Sequence, residues 1–235
     1  MTRADTLATQ AYREIRLALL HGKLNQDSFY SENSIAVLLG ISRTPAREAL
    51  RQLEMEGLID IRPQRGFRVR RISEHELIEF YQLRDMLESY VARTLARCAT
   101  QADLSTLRHI LERQKLAGDD VTEFITLDED FHLSMARMAG LERTARIVAS
   151  LRGVLWLMGT RIVNKGPRRA EVIREHEAIL AALERHEAEA AADAVSEHIH
   201  ATVAVAVEEG AESRARGDWV TSRGGRPYPL NTMVR

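Results

Sequence analysis

The sequence predicts a mainly α-helical protein in two parts: a short helical N-terminal segment closed by a small β-hairpin, then an antiparallel all-α bundle of about six helices. Three observations lead there. Apolar residues recur at helical spacing over most of residues 7–212. The stretch GLIDIRPQRGFRVRRI interrupts that period, with β-branched residues on either side of a Pro-Gln-Arg-Gly turn. Charge also divides along the chain, with a net +4 over residues 1–71, −8 over 72–210 and +3 over 211–235.

Leu7, Ala11, Ile15, Ala18 and Leu19 share one helical face, and Gly22 ends that helix. After a loop from Lys23 to Tyr30, Ser31 is placed to cap a short helix carrying Ile35, Ala36, Leu38 and Leu39, which Gly40 terminates. Ser42 is expected to cap the next helix. Pro45 is tolerated in its first turn, and Ala46, Ala49, Leu50, Leu53 and Leu58 point inward. Two helices joined by the tight Leu-Gly-Ile-Ser link, the second opening on polar residues, form the helix-turn-helix pattern. Strands at Leu58–Ile61 and Phe67–Arg71 then make a winged version of it.

From Ser73, whose box partner is Glu76, helices are expected near 74–99, 103–117, 121–139, 142–163, 168–186 and 189–212. The expected organisation is a winged helix-turn-helix over 1–72, a helical domain over 73–213 and a Gly-, Pro- and Arg-rich tail over 214–235, in which Trp219 and Tyr228 offer local anchors. No apolar run approaches the roughly 18 residues of a membrane span, and the start lacks an apolar leader, so a cytosolic chain without membrane contact is expected. Cys98 stands alone, which excludes an intramolecular disulfide, and it reads as a small helix residue.

The basic N-terminal part gathers Ser42, Arg43, Thr44 and Arg47 at the start of the second motif helix, where backbone N–H groups and guanidinium donors can meet phosphates and base edges together. Arg43 and Arg47 lie four apart on one face. The plainer alternative is a solvated charged face. Residues 42–50, Ser-Arg-Thr-Pro-Ala-Arg-Glu-Ala-Leu, resemble the recognition-helix signature of the GntR family, and the resemblance continues through Leu53, Glu56-Gly57-Leu58 and Gly66-Phe67-Arg68-Val69. It implies that Arg43 and Arg47 reach guanine edges or phosphates of double-stranded operator DNA, and that the wing tip, Arg65 and Gly66, enters the minor groove. Glu32 matches an acidic family position, Asn33 stands where some relatives carry a basic contact residue, and Gln26-Asp27 replaces the usual Pro-Gly. One winged helix supplies few phosphate contacts, so a homodimer on a palindromic site is expected.

In the acidic part, Asp128 and His132 lie one helical turn apart, and His176 falls on the core-facing stripe of its helix. His198 and His200 lie about 200° apart around the last helix. His198, accompanied by Ala191, Val195, Thr202 and Val205, is the inward candidate. Three imidazoles and one carboxylate suit a divalent transition metal such as zinc or nickel; a buried polar cluster without metal is the alternative. The Asp-x-x-Phe-His of 128–132, the Glu-His-Glu-Ala-Ile-Leu of 175–180 and His198 resemble the FCD effector domain of the FadR subfamily, whose matching Asp and three His bind a metal at the floor of a ligand cavity. Gly140-Leu141 departs from the Gly-Asn of many members.

Arg84 matches a recurrent arginine of that domain's first helix and is expected to meet a ligand carboxylate; its alternative is an ion pair with Glu88. The resemblance therefore implies a DNA-binding transcription regulator, a repressor more often than an activator, whose operator affinity responds to a small carboxylate effector at a metal site. Two rivals stand beside it, a metal-dependent hydrolase-like enzyme and a DNA-binding protein with a purely structural metal. No HExxH and no general base adjoin the four candidate ligands, so no catalytic residue is assigned.

Overall fold

A computed structural model describes residues 5–26, 28–164 and 167–215; Asp27 and the tail from residue 216, including Trp219 and Tyr228, lie outside the described residues. The described residues divide into two compact units. The first ends at Arg71 and takes in Gly153–Met158, and the second holds the rest from Ile72.

In the first unit, α1 (Leu7–Leu20), α2 (Glu32–Leu38) and α3 (Arg43–Met55) precede an antiparallel hairpin of β1 (Ile59–Arg62) and β2 (Gly66–Val69). Ala11, Ile15, Leu19, Ile35, Ala49, Leu50, Leu53 and Phe67 close its core, each almost fully buried. Ser31 caps α2 in a box with Ser34. Ser42 stands at the N-cap of α3 yet makes no side-chain cap bond, contrary to expectation. The reason is local: Pro45 occupies the third helical position and has no N–H to donate to the Ser42 hydroxyl.

The strands begin and end one or two residues from their expected limits. Ile59 pairs with Val69 and Arg62 with Gly66, while the Arg70 N–H still reaches the Leu58 carbonyl at 2.9 Å, so the expected limits include the fraying end of the ladder. Tyr30 bridges the free edge of β2, exchanging backbone hydrogen bonds of 2.7 and 2.8 Å with Phe67.

The second unit contains α4 (Glu74–Ala96), α5 (Gln101–Leu116), α6 (Val121–Met138), α7 (Glu142–Val163) apart from its Gly153–Met158 stretch, α8 (Arg168–Glu184) and α9 (Ala188–Ala215). Ser73 and Glu76 form the expected capping box, and Thr100 with Asp103 forms another that starts α5 two residues earlier than expected. α9 runs antiparallel along α4, tied by Ser89 Oγ to the Ala192 carbonyl (3.3 Å) and by Arg93 to Glu189 (2.9 Å). The inner faces of α4, α6, α8 and α9 meet around Tyr81, Phe131, Ile179 and Ile199, and it is among these apolar residues that the polar site lies. No helix among the described residues is long and apolar enough to cross a membrane.

Candidate functional site

The starts of α2 and α3 present Asn33, Ser42, Arg43, Thr44 and Arg47, all exposed. Arg43 Nε donates to Asn33 Oδ1 at 3.0 Å, and Arg47 Nε donates to Glu32 Oε2 at 2.9 Å. Asn33 and Glu32 therefore hold the two guanidinium groups in place on one surface. Solvent screens an exposed pair of this kind and leaves it weak, so either arginine can exchange its partner for a phosphate at little cost.

At the wing, Arg65 is exposed and its guanidinium lies 6.0 Å from the Phe29 ring centroid. Gly66 adopts φ +90°, and a Cβ there would lie 2.1 Å from the Tyr30 carbonyl oxygen. The glycine is thus required by the Tyr30 bridge at the edge of β2, a constraint that the sequence pattern did not reveal.

In the second unit, α6 supplies Asp128 and His132, α8 supplies His176 and α9 supplies His198, and one ligand atom from each lies within 4.8 Å of all the others. The three imidazoles are almost wholly buried. His200 faces Asp85 instead, at 3.3 Å. Each imidazole of the cluster has a polar group behind its Nδ1. His132 Nδ1 lies 2.5 Å from Glu88 Oε2, His198 Nδ1 donates to Glu175 Oε2 at 2.7 Å, and His176 Nδ1 lies 2.8 Å from Gln114 Oε1. The Gln114 amide nitrogen is turned toward the Phe124 carbonyl, which leaves its oxygen to accept from His176.

With a proton on every Nδ1, every Nε2 carries a lone pair. His132 Nε2 and His176 Nε2 are 3.2 Å apart, and His176 Nε2 is 3.4 Å from Asp128 Oδ1. Two nitrogens on one ion at about 2.1 Å are separated by roughly 3–3.4 Å, so the donor set fits a divalent transition metal.

Buried charged side chains surround this cluster. Arg84 donates Nε to Glu88 Oε1 at 2.7 Å, so the sequence-level alternative of an i, i+4 ion pair is realised. Its Nη1 and Nη2, however, have no hydrogen-bond partner among the described residues, and neither do Arg152 Nε and the Tyr81 hydroxyl. Arg152, 1% exposed, pairs with Asp128 through Nη2 and approaches Glu88 Oε2 at 3.5 Å. Arg168 grips Glu175 with two bonds of 2.5 and 2.8 Å and donates to Thr202 Oγ1 at 2.7 Å.

Burial works to raise the Asp128 and Glu88 carboxyls, but Arg152 beside Asp128 and Arg84 beside Glu88 outweigh it and hold both well below the usual carboxylate range. Burial, reinforced by Arg152, pushes the His132 imidazole down to about 4, and burial with His198 nearby pushes His176 down as well. Both rings are therefore neutral near pH 7, the state that a metal requires. Burial also drives the Tyr81 hydroxyl up to about 12, which keeps it a hydrogen-bond donor.

Comparison with known proteins decides the family. The family described as "Bacterial regulatory proteins, gntR family" matches residues 7–69, and the "FCD domain" matches residues 79–201, more than half of the chain. The chain belongs to the GntR family. This GntR-family chain is a DNA-binding transcription regulator rather than an enzyme, and members of the family bind operator DNA. It is 28% identical over 192 residues to the HTH-type transcriptional repressor RspR of Escherichia coli, covering 81% of this chain and 84% of that one. It is also 32% identical over 139 residues to the gluconate operon transcriptional repressor of Bacillus subtilis, covering 58% and 56%. The solved structure of E. coli McbR/YncC shares the fold, with a TM-score of 0.74 at 22% identity over 87% of this chain and 99% of that one.

Sequence reasoning about this GntR regulator missed Gln114, Arg152, Arg168 and Glu175. Glu175 had a weak signal, since it directly precedes His176. Arg168, Glu171 and Glu175 repeat at helical spacing, which reads as an outward charged face until α9 is placed beside it. Gln114 and Arg152 carry no local signal, because their partners come from α8, α6 and α4.

Proposed function

We propose that this GntR-family chain is an effector-responsive repressor that acts in the cytosol as a homodimer, with residues 1–72 reading a palindromic operator and 73–213 sensing a small organic acid. In this reading Arg43, Thr44 and Arg47 meet base edges and phosphates, with Ser42 and Asn33 at their flank, and Arg65 with Gly66 follows the minor groove. Asp128, His132, His176 and His198 hold a divalent transition metal, zinc or nickel. When bound, that ion offers coordination positions that a carboxylate oxygen can fill.

The observation that carries the reading is the convergence of three buried imidazoles and the Asp128 carboxylate, each ring backed at Nδ1 by Glu88, Gln114 or Glu175. Arg152 already answers the Asp128 charge, but three imidazole lone pairs turned together still repel one another unless a cation or a donor lies among them. Arg84 supplies the second half. Its Nε is engaged by Glu88, which leaves the Nη1–Nη2 end as a fork for a carboxylate, and the Tyr81 hydroxyl adds a donor nearby. An effector changes operator affinity only as far as it binds the two states of the protein unequally.

Metal analysis of the purified protein, followed by fluorescence-anisotropy titration of operator DNA against a panel of mono- and dicarboxylates, tests this. About one divalent transition ion per chain and a metal-dependent shift in operator affinity are expected. Chain free of metal after reconstitution, or an operator affinity that no carboxylate alters, would refute it.

A further inference from the structure

We propose that the outward face of α4 is the surface through which two copies of this chain meet, antiparallel about a two-fold axis close to Met86. The inference rests on the homodimer reading above and assigns it a place. α4 turns Leu77, Tyr81, Arg84, Glu88, Val91 and Leu95 into the bundle. Its opposite side carries Glu79, Leu83, Met86, Tyr90, Arg93 and Arg97, spaced alternately four and three apart, which makes one stripe along a helix about 34 Å long. The middle of the stripe is apolar and open, with Leu83 39%, Met86 71% and Tyr90 51% exposed. A solvent-facing helix side of this kind is normally polar, and a contiguous apolar stripe with a charged rim marks a contact surface.

The charge layout selects the occupant. Glu74, Glu76 and Glu79 lie at the start of α4 and Arg93 and Arg97 at its end. Glu79 precedes Met86 by seven residues and Arg93 follows it by seven, two turns on either side. A second α4 laid antiparallel across Met86 therefore sets acid against base at both ends, while Leu83 of each copy approaches Tyr90 of the other over the axis. A parallel pairing sets like charge on like. The same patch used twice is what a closed two-fold contact demands. Arg93 is already held by Glu189 of its own chain, Nε donating to both oxygens at 2.9 Å, and retains 35% side-chain exposure; Arg97, 3.9 Å from the same carboxylate, retains 67%. Both guanidinium groups are thereby poised at the rim rather than swept away from it.

The test uses the full-length chain and sedimentation velocity. Met86→Glu places two carboxylates against each other at the axis and should raise the dimer dissociation constant about a hundredfold or more; the melting temperature, at so exposed a position, should stay close to the parent's. Glu79→Arg and Arg93→Glu should each weaken the dimer and, combined, restore it. In a Cys98→Ser background, Met86→Cys should cross-link to its own copy on mild oxidation, whereas Leu116→Cys, on α5 and 84% exposed, should not. A parent chain that is monomeric at every concentration overturns the homodimer reading together with this proposal. A dimeric parent whose Met86→Glu form remains equally dimeric overturns the assignment of the surface alone.

Discussion

Arg84 and His132 share one carboxylate: Glu88 accepts from Arg84 Nε through Oε1 at 2.7 Å and faces His132 Nδ1 through Oε2 at 2.5 Å. One buried side chain thus links the arginine proposed to hold the effector with an imidazole proposed to hold the metal. Glu88→Gln removes the charge that Arg84 and Arg152 are packed against, and leaving a buried guanidinium without its counter-ion costs about 3–5 kcal/mol. The same change weakens the orientation of His132. Metal affinity should fall about 10–100-fold, measured by competition against a chelator of known strength, and thermal melts should show the stability loss. Unchanged metal affinity in a folded Glu88→Gln protein would remove Glu88 from the support of the site.

Metal-free protein should lose stability as the pH falls from about 6.5 toward 4. The folded chain holds His132 at about 4, whereas an unfolded histidine titrates near 6.5, so between those values the unfolded state binds the extra proton. The contribution is complete above about 6.5 and is spent by about 4. At pH 5 the loss from His132 alone is about 2 kcal/mol, and the downward shift of His176 adds to it in the same direction. Asp128 and Glu88, held well below the usual range, surrender theirs only at lower pH. Melts of chelator-treated protein at pH 7.5 and pH 5 check this; a flat profile would mean that the imidazoles gain protons freely in the folded state.

Stability and DNA affinity should separate at the wing. Gly66→Ala brings a methyl group into the Tyr30 carbonyl and demands a left-handed conformation of a residue with a Cβ, a strain of about 1–3 kcal/mol or more. Arg65→Ala removes an exposed side chain beside Phe29 and should leave the melting temperature within experimental error while lowering operator affinity. Gly66→Ala melting with the parent would contradict the contact, and full affinity in Arg65→Ala would take Arg65 off the DNA.

The elements were legible because each carries its own local signal. Ser73 and Glu76 announce α4 by a cap that needs no tertiary partner, and Gly118, Gly140 and His186 end helices in left-handed backbone conformations. The candidate ligands were legible for a related reason, since Asp128 and His132 meet on one turn of α6 and His176 lies on a periodic apolar face. What escaped was whatever depends on two helices at once. The choice between an Arg84 paired with Glu88 and an Arg84 free for a ligand looked exclusive from spacing, yet one nitrogen serves the first and two remain for the second. Ser42 failed as a side-chain cap through its neighbour Pro45, a local rule that was available and was outweighed by the motif.

The recognition surface should reveal itself through salt. Arg43→Ala and Arg47→Ala each delete one cation from an exposed face whose present partners are Asn33 and Glu32, so neither should alter the core of the first unit or measurably shift its melting temperature. If each arginine meets a phosphate, operator affinity falls for every sequence alike, and the slope of log affinity against log salt declines by about one per chain. If Arg47 instead reads a guanine edge, the loss is confined to operators that keep that base, about 1–3 kcal/mol, and the salt slope barely moves. Glu32→Gln completes the comparison: it frees Arg47 from its ion pair, so it should strengthen binding where the arginine meets phosphate. Anisotropy titrations of the three variants at several salt concentrations distinguish these outcomes, and parent-like affinity and slope in both arginine variants would place the DNA contact elsewhere.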